Sequence, residues 1–116
     1  MTNKTTPTRE QFLARLEAIH WLSDALAVLA SPPPIDTPAR PLFSNFAFFW
    51  GHAHDGSGVE AFPFGVPAGA TVRELRIYRE ILRRLDAAHA LKPGALAPVE
   101  AAIGQAIRAR EEGGQE

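Results

Sequence analysis

Residues 45–54 read Asn-Phe-Ala-Phe-Phe-Trp-Gly-His-Ala-His, and their conformation decides the fold. Seven of the chain's ten aromatic side chains lie between residues 43 and 66, so this segment must bury or present most of the aromatic surface. Aromatic side chains favour a pleated, half-buried surface. We therefore read Asn45–His54 as a strand, Asp55–Gly58 (DGSG) as a turn and Val59–Phe64 as the hairpin partner. Pro63 confines that second strand to a sheet edge, because proline has no N–H to give to a ladder. An irregular aromatic plug between helices is the alternative reading of the same run.

On either side of this segment the hydrophobic pattern becomes helical. Toward the N-terminus a helix is predicted over residues 7–30. Pro7 suits a first helical turn, and Thr8 with Gln11 makes a capping box, each side chain satisfying an orphan backbone N–H. Phe12, Leu16, Ile19, Ser23 and Leu26 recur every three or four residues and share one stripe, widened by Leu13, Ala25, Val28 and Leu29. Pro32–Pro33–Pro34 stops this helix. Residues 31–42 hold five of the ten prolines and read as a stiff connector, too short to separate two domains.

Toward the C-terminus a second helix is predicted over residues 71–91. Thr71 and Glu74 repeat the capping box, and Leu75, Tyr78, Leu82, Leu85 and His89 form a stripe broadened by Val72, Ile81 and Ala88. Lys92–Pro93–Gly94 ends it. A third helix is predicted over 96–110, with Val99, Ile103, Ala106 and Ile107 inward. Gly104 weakens it by about 1 kcal/mol relative to alanine, unless a neighbouring helix approaches closely there. Residues 111–116, EEGGQE, read as a disordered tail. The expected fold is mainly α and a single domain over residues 1–116. It is a small bundle of about three helices, the two long ones antiparallel, with an aromatic-rich β-hairpin or irregular insertion between helices 1 and 2.

Composition narrows the function classes. With 116 residues, 46% of them hydrophobic, the chain can bury a core without staples. It has no cysteine, which excludes disulfides, thiolate metal sites and cysteine nucleophiles. A net charge of −1 provides no global field to recruit nucleic acid or an anionic membrane. The N-terminal MTNKTTPTRE lacks the apolar run of a signal peptide, and no stretch approaches the roughly 20 apolar residues of a membrane span. These features predict a soluble, cytoplasmic chain with no membrane partner.

Three constellations compete for function. On a strand, Phe46, Phe48 and Trp50 share one face and Phe49 takes the other. Aromatics on both faces of a hairpin call for a cover on the second face, and aromatic anchors supply large contact area at low rotamer cost. This favours a non-catalytic interaction module, a homodimer or small adaptor, with Phe48, Phe49, Trp50, Phe62 and Phe64 as its contact surface. The second constellation is His52 with His54, which a strand would point to the same side. With Glu60 as third ligand they would suit zinc in a metal-binding protein or small metal-dependent enzyme. The third is the basic face of the second helix, Arg73, Arg76, Arg83 and Arg84, a surface for nucleic acid. There, i,i+4 pairing of Arg76 and Arg84 with Glu80 is the competing, structural reading. No GxSxG elbow, phosphate loop or dinucleotide fingerprint is present, and no residue is assigned a catalytic role. His20 and Asp24, at i,i+4, read as a helix-face hydrogen bond and not as part of a triad.

Overall fold

A computed structural model describes residues 8–55 and 69–113. Among them the elements are all helices: α1 (Arg9–Glu17), α2 (Leu22–Leu29), α3 (Arg40–Asp55), α4 (Val72–Ala87) and α5 (Leu96–Glu112). The described residues contain no strand. Two expectations are thereby corrected. Asn45–His54 lies within α3 and is not a hairpin strand, and the single helix expected over 7–30 is two helices. The remainder of the expected hairpin, Gly56–Phe64, lies outside the described residues.

Burial explains why the aromatic run is helical. Ala39, Leu42, Phe46, Phe49 and Ala53 are completely buried, and their alternating three- and four-residue steps make one helix stripe. Read at period two, the same residues spread over both faces of a strand. Read at period 3.6, they enter one core and leave Ser44, Gly51 and His54 outside. Pro41 is tolerated because the first helical turn has no intrahelical N–H bond to lose. Thr37 Oγ1 donates to the Pro34 carbonyl at 2.7 Å and Arg40 to the Pro33 carbonyl at 2.9 Å, closing the turn before α3. The connector therefore ends at residue 39, short of residue 42.

At the α1–α2 break the buried phase jumps. Phe12, Leu13, Leu16 and Ile19 point inward on the first part, but the next buried residues are Ala25 and Val28, while Ser23 and Leu26 are exposed. A straight helix would have continued inward at residues 23 and 26. The chain turns a corner at residues 18–21 and re-enters the core on a different stripe.

The helix α4 sits at the centre. Its predicted stripe of Val72, Leu75, Tyr78, Ile81, Leu82 and Leu85 is buried throughout. Both predicted capping boxes form, Thr8 with Gln11 and Thr71 with Glu74. The helix stops at Ala87, several residues before Lys92, through a Schellman ending. His89 N–H donates to the Asp86 carbonyl at 3.0 Å and Ala90 N–H to the Leu85 carbonyl at 2.9 Å. His89 adopts φ 60, the left-handed conformation usual for glycine at this position, and it is exposed where the sequence stripe placed it inward. In α5, Val99, Ile103 and Ile107 are buried, and the helix continues to Glu112, two residues into the expected tail. A Cβ on Gly104 would meet only Arg108 Nη1 at 3.7 Å, so no close helix approach requires that glycine.

The helices α1 and α4 run parallel, which corrects the antiparallel expectation. Their first turns are bridged by Arg9–Glu74 and by Arg73–Glu10, the latter at 2.6 Å. At the other end, Arg84 donates to the carbonyls of Glu17 and Ile19 at 2.8 and 3.0 Å. By contrast, Arg76–Glu111 and Arg83–Glu100 set α5 antiparallel to α4. Helix α3 joins the same core: Phe43 meets Phe12 at 6.4 Å between centroids, and Phe49 meets Tyr78 at 5.4 Å. The buried Tyr78 hydroxyl donates to the Leu42 carbonyl at 3.4 Å, and burial pushes its phenol well above the usual range. No helix of the described residues is long and apolar enough to cross a membrane.

Candidate interaction surface

The structure redistributes the residues singled out in the sequence. Phe49 is completely buried, so it belongs to the core and offers nothing to a partner. Phe48 and Trp50 are half-buried and pack against that core. Phe62 and Phe64 lie outside the described residues, so only part of the expected aromatic surface has a described position.

The histidine pair loses the geometry that recommended it. On a strand His52 and His54 would share a face, but on α3 two residues apart means about 200° apart around the axis. Each ring instead meets the aromatic one turn earlier. His52 lies edge-on to Phe48 and His54 stacks on Trp50, both at 4.5 Å between centroids. The third proposed ligand, Glu60, is outside the described residues. Among the described residues no three histidine, aspartate or glutamate side chains gather to hold a metal ion.

The basic face is engaged within the chain. Arg73 donates twice to Glu10, at 2.6 and 2.9 Å, and that contact, chiefly the hydrogen bond, holds the Glu10 carboxyl below its ordinary 4.5. Arg76 pairs with Glu111, Arg83 with Glu100, and Arg84 with the carbonyls that end α1. Arg84 also lies 3.7 Å from Glu80, the i,i+4 partner expected from sequence, whereas Arg76 reaches across to α5. Each of these four arginines ties α4 to α1 or α5. Arg9 does the same from α1 by pairing with Glu74, whose side chain is only 4% exposed. Glu74 also accepts from the Thr71 N–H at 3.3 Å, so the buried carboxylate has two partners.

A different surface emerges on α2 and the turn after it. Among the described residues the large hydrophobic side chains left exposed are Trp21 (63%), Leu22 (37%), Leu26 (50%) and Ile35 (80%). All four fall within a single stretch of 15 residues, while the described part of the aromatic segment, residues 43–55, contributes none. Leu22 and Leu26 lie one turn apart on the same flank of α2, and half-buried Leu29 continues that stripe toward the core. Ala25 and Val28 are the only fully buried side chains of α2, so the helix is held by small groups and presents large ones. Trp21, with His20, borders a cleft of about 340 Å³ whose other wall is Arg84, Ala87 and Ala88.

The corner that orients α2 has its own chemistry. A helix break leaves carbonyls unsatisfied before it and amides unsatisfied after it. Asp24 Oδ2 accepts from the N–H groups of His20 and Trp21 at 3.0 and 3.1 Å. Arg84 supplies donors to the carbonyls of Glu17 and Ile19. One acid and one base, on different helices, close the two halves of the break. Asp24 and His20 were paired by spacing in the sequence, but the contact is to the His20 backbone and it begins a helix.

The sequence pattern singles out neither Trp21, Leu22 nor Ile35, and it places Leu26 on the inward stripe, where the structure leaves it exposed. The available signal was a second stripe, Leu22–Leu26–Leu29, running beside the one chosen, and an isolated isoleucine between Pro34 and Asp36. No family model, curated protein or solved structure matches this chain.

Proposed function

We propose that this chain is a non-catalytic protein-interaction module that self-associates as a homodimer through α2 and the turn that follows it. The observation that carries the reading is the gathering of Trp21, Leu22, Leu26 and Ile35, the exposed large hydrophobics of the described residues, into one stretch. Scattered apolar side chains on a surface need no explanation, whereas a contiguous group marks a site of association. A tryptophan at the edge of such a group is a frequent interface anchor. The stripe itself is uncharged, so two copies can meet along it without like-charge repulsion.

The test is the mass of the untagged chain by native mass spectrometry and analytical ultracentrifugation, beside a Leu26→Glu, Ile35→Glu variant. The wild type is expected to dimerise with increasing concentration. The variant is expected to stay monomeric with unchanged far-UV circular dichroism, because both replaced side chains are exposed in the monomer. A wild type that stays monomeric across the concentration range, or a variant that dimerises equally well, removes the reading. Capture of a different protein by the monomer would instead favour an adaptor.

A further inference from the structure

We propose that the groove between α4 and α5 is a docking site for an acidic helical segment of a partner protein. It shares no residue with the α2 surface, so the inference stands or falls independently of self-association. The groove has a volume of about 520 Å³. Arg79 and Arg83 stand on its α4 wall and Arg108 on its α5 wall, against the single carboxylate of Glu100.

Ion pairs between the helices set the register here. Arg83–Glu100 and Arg76–Glu111 are two rungs across antiparallel helices, and Arg79 falls between them on α4. What α5 brings to the groove between those rungs is Gly104, Gln105 and Arg108, so the rung at Arg79 has no acid. Arg79 and Arg108 have no hydrogen-bond or ion-pair partner among the described residues, whereas Arg73, Arg76, Arg83 and Arg84 all have one. Two such guanidiniums lining one groove call for a carboxylate from outside, which each can bind with a pair of N–H donors.

The floor of the groove favours a helix as the occupant. Ala97, Ala101 and Gly104 follow one another at four and three residues, so a line of small groups runs along this face of α5. Gly104 has no role inside the chain: glycine weakens a helix interior, and a Cβ there would meet only Arg108 Nη1 at 3.7 Å. A glycine is in place where a second backbone approaches closely. Arg79 and Arg83 stand one turn apart, so carboxylates one turn apart on a docked helix meet both. A long polyanion fits less well. Past Arg108 the helix ends in exposed Glu111 and Glu112, and the whole chain carries −1, so the basic patch does not continue as a track.

The test is a titration of the isotope-labelled full chain, followed by two-dimensional amide NMR. The probe is an alanine-rich helical peptide of about 16 residues with glutamates one turn apart, raised to millimolar concentration at low salt. Saturable shifts are expected at Ala101, Gly104 and Gln105, and none with the same peptide carrying glutamine for glutamate. Arg79→Gln with Arg108→Gln is expected to weaken binding about tenfold or more while leaving Tm in place, since neither side chain ties the described helices together. Gly104→Leu fills the floor and is expected to abolish binding while Tm holds or rises, because leucine is the better helix former. Absent shifts, or equal shifts with the glutamine peptide, overturn the proposal. Binding that survives Gly104→Leu is attraction to charge alone and overturns the groove. Tighter saturation of the same amides by a thymidine oligonucleotide than by the peptide overturns the acidic helix in favour of nucleic acid.

Discussion

The helices α4 and α2 are both amphipathic, but they are held in opposite ways. Over 16 residues α4 buries Val72, Leu75, Tyr78, Ile81, Leu82 and Leu85, closes its start with a capping box and its end with a Schellman turn. Over eight residues α2 buries Ala25 and Val28, begins on the Asp24 carboxylate and leaves Leu22 and Leu26 exposed. An isolated helix of eight residues is far below the length that is stable in water, so α2 depends on its few contacts to exist. The difference separates a helix that defines the fold from one that the fold only lends a position.

Substitution can break that contrast or sharpen it. Leu82→Ala removes a completely buried side chain at the centre and is expected to cost about 3–4 kcal/mol in denaturant unfolding. Val28→Ala, the matched change on α2, is expected to cost only about 1 kcal/mol, from fewer atoms lost and a site that can collapse. Equal costs would show that α2 is as firmly packed as α4. A smaller gain is expected from His89→Gly at the end of α4. There the left-handed φ of 60 strains a side chain with no role in the core, and glycine relieves about 1 kcal/mol, read as a higher Tm. The smallest effect is the pH dependence of the Arg73–Glu10 pair. The Glu10 carboxyl is held below 4.5 in the folded chain, so its contribution is present above that pH and disappears as pH falls through the lowered value. A Tm series of wild type against Glu10→Gln should differ slightly at neutral pH and converge in acid; a constant offset would assign the pair no electrostatic role.

Legibility in the sequence followed how locally each feature is determined. The capping boxes at Thr8 and Thr71 are satisfied within four residues, and both were readable. The α4 stripe was readable because its hydrophobics fit one period only. The aromatic run of α3 fits two. Phe46, Phe48 and Trp50 alternate like a strand, while Leu42, Phe46, Phe49 and Ala53 step like a helix, and only the position of the core chooses between them. The α1–α2 break was not readable at all, since half of what holds it is Arg84, 65 residues beyond Ile19. The site readings failed in a related way. Clustered aromatic residues suggest a contact surface, but such residues are more often core, and Phe49 is core. The arginines were visible as charge, but their acidic partners Glu10, Glu100 and Glu111 lie on other helices.

The parallel pairing of α1 with α4 has a consequence in chain entropy. Arg83–Glu100 joins residues 17 apart, across a short turn, whereas Arg73–Glu10 joins residues 63 apart. For a flexible chain the closure cost grows with the logarithm of loop length, which makes the second contact about 1 kcal/mol harder to form than the first. The α4–α5 hairpin can therefore assemble from its own neighbourhood. The seat of α1 exists only once most of the chain has already been placed between the two ends of that contact.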